Sequence, residues 1–227
     1  MDLAPHIDHT LLKPEATAAD IHTLIQEALE HQFATVCVHG RWVALAAEIL
    51  RNPHPSHTKV CAVVGFPLGA MKSSVKAIEA VAAVKDGARE IDMVISLATL
   101  FEADLDGARA DVFEVCRGAR AAARDTLVKV ILETAALNEE QVALGCQAAR
   151  EGGADFVKTS TGFHPQGGAT EEAVRWLLKY GHGLKVKASG GIRDRSAAEK
   201  YLALGVARIG TSNGVAIVRG TAGQTPY

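Results

Sequence analysis

Two lysines stand where a lysine is hard to explain. Lys158 and Lys187 lie inside short apolar runs, FVKTSTG (156–162) and LKVKASGG (184–191), and each run closes on small, polar and glycine residues. An ammonium group inside a buried strand has to be paired or give up its proton. Two such groups pointing inward from neighbouring strands repel one another, and desolvation acts in the same direction. One of them then becomes a neutral amine near pH 7, and a neutral amine attacks carbonyls where an ammonium cannot. Asp92, in EIDMVIS (90–96), has Ile91 and Met93 as neighbours and needs a partner in a core. Facing Lys187, it would complete a proton relay. The competing readings are lysines paired structurally with Asp92 or Glu133, and an Asp92 ion pair that only fixes register.

Lys129 in LVKVILE (127–133) precedes Lys158 by 29 residues, and Lys158 precedes Lys187 by 29. That even spacing predicts a lysine at one common register on three consecutive strands, with Lys129 as a supporting cation. Lys185 shares the parity of Lys187 but lies one pair earlier, towards the bottom. Glu133 and Asp8, the latter in HIDHT, are further acidic candidates.

Glycine-containing loops follow the last three strand-like runs, at residues 160–168, 189–194 and 210–214. Backbone N–H groups of small residues at helix N-termini make a site for an anion. Gly190, Gly191, Ser212 and Asn213 are the expected phosphate contacts, Thr161 and Gly162 would complete the cradle, and Arg193 would add charge. Neither GxGxxG before a helix nor GxxxxGK[ST] occurs, so no nucleotide cofactor is signalled.

The elements that must carry these residues alternate along the whole chain. Strand-like runs are expected at 6–12, 35–39, 59–66, 90–96, 127–133, 156–162, 184–191 and 207–213. Each is apolar enough to be covered on both faces, as parallel strands under helices are. Between them come amphipathic stretches with start signals at Thr17 or Asp20, Ser73 and Asn138, and C-cap glycines at Gly87 and Gly152. Eight units of about 28 residues match an α/β fold of the (β/α)8 TIM-barrel type better than an open doubly wound sheet. No linker interrupts the series, so residues 1–227 read as one domain, with 218–227 as a flexible tail.

Composition narrows the function classes. Of 227 residues, 48% are hydrophobic, which excludes a disordered chain, and the net charge of -2 argues against a nucleic-acid binder. No apolar run approaches the length of a membrane span, and no signal peptide opens the chain, so the expected location is the cytoplasm. Cys37, Cys61, Cys116 and Cys146 form no CxxC pair and are expected as buried reduced thiols. A metal-dependent hydrolase built on His6, Asp8 and His9 is disfavoured by their spacing and by the lack of histidines on the later strands. His54 and His57 fall in a Pro-rich loop and read as solvated. A non-catalytic sugar-phosphate-binding barrel would keep the glycine loops but has no use for a mid-strand lysine pair.

The segments IDHTLLKP (7–14), VCV (36–38), VVGFPLGA (63–70), EIDMVI (90–95), FVKTSTGF (156–163), KASGGIR (187–193) and IGTS (209–212) occur in an order that resembles the deoxyribose-phosphate aldolases from end to end. The resemblance implies a metal-free, cofactor-free aldol cleavage of 2-deoxy-D-ribose 5-phosphate to D-glyceraldehyde 3-phosphate and acetaldehyde. It implies Lys158 as the Schiff-base lysine, Lys187 as the cation that tunes it, and Asp92 as the acid/base partner. It also implies a possible homodimer. Asn213 stands where the family usually has serine, and Ser96 where it usually has asparagine. The terminal Tyr227 closes a polar tail read as disordered.

Overall fold

The computed structural model describes residues 2–51 and 56–221. Eight parallel strands close into one barrel in chain order: β1 (Ile7–Thr10), β2 (Thr35–His39), β3 (Lys59–Val64), β4 (Glu90–Val94), β5 (Leu127–Ile131), β6 (Phe156–Lys158), β7 (Lys185–Ser189) and β8 (Arg208–Thr211). The helices are α1 (Ala18–His31), α2 (Val43–Arg51), α3 (Ser73–Asp86), α4 (Leu97–Phe101), α5 (Leu105–Ala122), α6 (Glu139–Glu151), α7 (Glu171–Tyr180), α8 (Arg195–Leu204) and α9 (Gly214–Arg219). The (β/α)8 expectation is met. Tyr227 and His54 lie outside the described residues, and α9 includes Val218 and Arg219, which the sequence had assigned to a tail.

Local signals explain the helix starts. Thr17 caps α1 in a capping box with Asp20, and Asn138 caps α6 in a second box with Gln141. Ser73 was expected as a cap but is the first helical residue of α3, behind an N-cap Lys72 that makes no side-chain cap bond. β2 matches its run, and the other strands are shorter than theirs, most of all β6, which stops at Lys158. The small and glycine residues beyond it leave the ladder to build loops at the C-terminal rim.

Alternation sorts the side chains into two cores. Outward-facing Val36, Ala62, Met93, Val130, Val157, Val186 and Ile209 pack with the helices in one continuous apolar cluster. Inside the barrel, Leu12, Cys37, Cys61 and Val63 form a small apolar patch. Beside it the lumen holds an ionic cluster of Asp8, Glu90, Asp92, Lys129, Lys158, Lys187 and Arg208. All four cysteines are buried and free.

Candidate active site

The ionic lumen is layered. Its lower layer joins β1, β4, β5 and β8. Arg208 bridges Asp8 and Glu90, at 2.8 Å from Glu90 Oε1, and Lys129 Nζ lies 2.5 Å from Glu90 Oε2. Asp92, one inward position up β4, is the hub of the upper layer. Its Oδ1 accepts from Lys129 Nζ at 2.9 Å, and its Oδ2 accepts from both Lys158 Nζ at 2.8 Å and Lys187 Nζ at 2.7 Å. Lys187 is held from the other side by Asp8 Oδ2 at 2.5 Å. Lys158, Lys187 and Asp92 thus meet on one carboxylate oxygen. Lys129 joins them, and so does Asp8 through Lys187.

Strand register explains the meeting. Lys158 and Lys187 are direct partners across β6 and β7. Lys129, in contrast, pairs with Phe156, while Lys158 pairs with Ile131. The three lysines therefore do not share one register, as their even spacing had suggested; Lys129 sits two residues lower. A closed barrel staggers its strands, so equal sequence spacing does not mean equal height. Lys185 is exposed at the foot of β7, 5.7 Å from the Phe156 ring centroid. Gly210 on β8 makes room for Lys187, because a Cβ there would lie 2.9 Å from the Lys187 Cε.

Electrostatics ranks these groups. Burial opposes the charge on Asp92, but the lysines, Lys129 first, outweigh it and hold the carboxyl well below its ordinary 3.8. Asp8 behaves alike: burial raises it, and Lys187, Lys129 and Arg208 more than reverse this. Burial likewise works against Lys187 and Lys129, yet the carboxylates around them keep both protonated far above the usual lysine range. Repulsion between Lys158 and Lys187 had been expected to dominate; instead Asp92 stands between them. Four cations face three carboxylates in the lumen. The cations are Lys129, Lys158, Lys187 and Arg208, and the carboxylates are Asp8, Glu90 and Asp92.

At the rim, the three glycine-bearing loops touch. A Cβ on Gly190, whose φ is +90°, would stand 2.8 Å from the Gly168 Cα, so these two backbones approach only as glycines. Ala169 N donates to the carbonyls of Ser189 and Gly190, both at 3.1 Å, and Thr211 Oγ1 donates to Ile192 O at 2.7 Å. Gly162, Gly190, Gly191, Ser212 and Asn213 are thereby gathered beside the lumen mouth, and Arg193 is exposed. Asn213 Nδ2 donates to Ser212 Oγ at 3.3 Å. Gly168 and Ser189 belong to this assembly although only the loop that holds them, not the residues, stood out in the sequence.

Thr161 behaves differently from the cradle residue it was expected to be. Its N–H donates to Glu133 Oε1 at 3.2 Å, and its hydroxyl donates to Glu133 Oε2. A phosphate needs donors, and both donors of Thr161 are committed. Burial pushes the Glu133 carboxyl up, against those two Thr161 bonds.

The His6, Asp8 and His9 side chains diverge. His6 Nδ1 meets Ala207 O at 3.0 Å, and His9 points away from the lumen to Glu27 Oε2 at 2.7 Å, while Asp8 faces inward. No helix among the described residues is long and apolar enough to cross a membrane.

Comparison with known proteins agrees with this geometry. The family model described as DeoC/LacD family aldolase matches residues 3–222. The chain is 48% identical over 228 residues to the deoxyribose-phosphate aldolase of Bdellovibrio bacteriovorus, covering 100% of both chains. It is 46% identical over 227 residues to that of Streptococcus gordonii, again covering 100% of both. Among solved structures it resembles the tetrameric deoxyribose phosphate aldolase of Aeropyrum pernix, with a TM-score of 0.87 and 32% identity over 96% of this chain and 89% of that one.

Proposed function

The chain belongs to the DeoC/LacD aldolase family, and from that premise we propose that it cleaves 2-deoxy-D-ribose 5-phosphate reversibly through a Schiff base on Lys158. The observation that carries this reading is the shared Asp92 oxygen, which accepts Lys158 and Lys187 at 2.8 and 2.7 Å. In the proposed reaction, unprotonated Lys158 Nζ adds to C1 of the open-chain sugar. Loss of water from the carbinolamine gives an imine. Electrons of the C2–C3 bond then flow into the iminium, the C3 hydroxyl loses its proton, and D-glyceraldehyde 3-phosphate leaves behind an enamine. Protonation at C2 and hydrolysis release acetaldehyde and free the amine.

Asp92 and Lys187 move the protons, and Lys129 steadies Asp92 from its second oxygen. The phosphate is proposed to lie on Gly162, Gly190, Gly191, Ser212 and Asn213, residues of the touching rim loops. A metal-free reaction follows from lysine chemistry, because the iminium is itself the electron sink. The barrel is proposed to act as one domain in the cytoplasm and to pair as a homodimer. Exposed apolar Leu68, Met71, Val75 and Ile78 support the pairing; a monomeric mass by light scattering would refute it.

Borohydride added with acetaldehyde is expected to fix an ethyl group on the protein. Peptide mass analysis is expected to place it on Lys158, and an adduct elsewhere, or none, would remove the assignment.

A further inference from the structure

Glu133 has no part in the mechanism above, yet it is 2% exposed and stands at the top of β5 with its backbone in the left-handed region, φ 59° and ψ 56°. A residue with a Cβ adopts that conformation uncommonly, and in a buried position it reflects what surrounds it. Here the flanking ladder holds it: Leu132 N donates to Lys158 O at 3.0 Å and Thr134 N to Thr159 O at 2.9 Å. Glu133 is thus turned onto the loop after β6, where its carboxylate takes both donors of Thr161. The Thr161 Oγ1 also accepts from Phe163 N at 3.0 Å. A hydroxyl has one hydrogen and two lone pairs. With the hydrogen given to Glu133 and one lone pair given to Phe163, a single lone pair remains.

We infer that Glu133 is a positioning residue for the carbon–carbon bond-forming half of the reaction, keeping Thr161 an acceptor-only group that selects an incoming aldehyde bearing a hydroxyl. This rests on the aldolase reading above. D-Glyceraldehyde 3-phosphate carries a hydroxyl next to its aldehyde, and that hydroxyl can donate to the remaining lone pair of Thr161, three residues beyond Lys158. A deoxy aldehyde cannot. Replacing Glu133 by glutamine inverts the arrangement: the amide N–H would donate to Oγ1, occupying that lone pair and freeing the hydroxyl hydrogen.

The test separates two half-reactions of the full chain. Exchange of acetaldehyde methyl protons with deuterium oxide needs only the lysine chemistry. Condensation is measured with D-glyceraldehyde 3-phosphate and with its analogue lacking the hydroxyl, 3-phosphooxypropanal. In Glu133→Gln, kcat/KM for the hydroxylated acceptor is expected to fall about 30-fold, against about threefold or less for the deoxy acceptor and for exchange. Glu133→Asp, which withdraws the carboxylate from Thr161, is expected to give the same split. Thr161→Val should reproduce it, and the Glu133→Gln/Thr161→Val double variant should be no worse than either single. Equal losses in all three rates, or an unchanged preference, would overturn the inference. A wild-type protein that exchanges no acetaldehyde protons would instead overturn the aldolase reading beneath it.

Discussion

Among the described residues, lysine is buried against aspartate in two places, and the two are built for opposite ends. Between α3 and α5, Lys76 Nζ donates to Asp111 Oδ2 at 2.7 Å and to Val94 O at 2.9 Å, and Ser96 N donates to the same Asp111 oxygen at 2.9 Å. That pair is one to one and sealed behind β4. In the lumen, one Asp92 oxygen is shared by two lysines, and Lys158 is 3% exposed under the rim. A buried lysine–aspartate contact is therefore no mark of chemistry in itself. What separates the two is an unequal count of charges and a path to substrate. The flank pair has neither, and burial lowers Lys76 from its ordinary value, whereas Lys187 and Lys129 are held up by the carboxylates around them.

The sharpest way to break this comparison is to delete each amine in turn. Lys158→Met is expected to reduce aldol cleavage on the order of 10⁴-fold or more while the barrel stays folded, since the nucleophile is gone and the remaining ions balance. Lys76→Met is expected to do the reverse. It leaves Asp111 buried without its cation, lowering stability by about 3–5 kcal/mol, and the folded fraction keeps its turnover. Urea melts beside initial rates decide the matter; parallel losses in both variants would erase the distinction.

Lys187→Leu comes next in size. It removes the cation that shares the Asp92 oxygen with Lys158 and leaves three lumen cations against three carboxylates. The expected result is a rate loss of about 10²-fold with the rising limb of the pH–rate profile moved upward. A loss of rate with the limb unmoved would reduce Lys187 to a structural cation.

The smallest effect is in pH-dependent stability. Asp92 and Asp8 are depressed in the fold, so their contribution is complete above about 3.8 and is lost as pH falls below it. Lys129 and Lys187 are raised, so theirs is complete below 10.5 and is lost as pH climbs past it. Lys76 is lowered, so the unfolded chain binds more protons there, and stability gains from it as pH rises towards 10.5. Urea midpoints across pH are expected to lose that upward slope in the Lys76→Met variant alone.

Much of this was legible in the sequence. The strand–helix rhythm follows from buried apolar runs separated by capped amphipathic stretches, and the small polar tails after Lys158 and Lys187 mark the rim. Asp92 was legible because a carboxylate between Ile91 and Met93 has few places to go. The height of Lys129 was not, since stagger belongs to the closed barrel and leaves no trace in spacing. Lys76 looks like any helix lysine, and its burial depends on α5, which crosses it 35 residues later. Glu133 stood out only weakly, because its left-handed backbone is imposed by neighbouring strands and not by its own type.

Gly210 shows how little of this site can be altered in place. Lys187 reaches Asp92 through the space that a side chain on β8 would occupy. Any change there enlarges the residue, so selection has no conservative step to offer at that position. A change of acceptor preference that keeps Lys187 in this place has to come from positions other than 210.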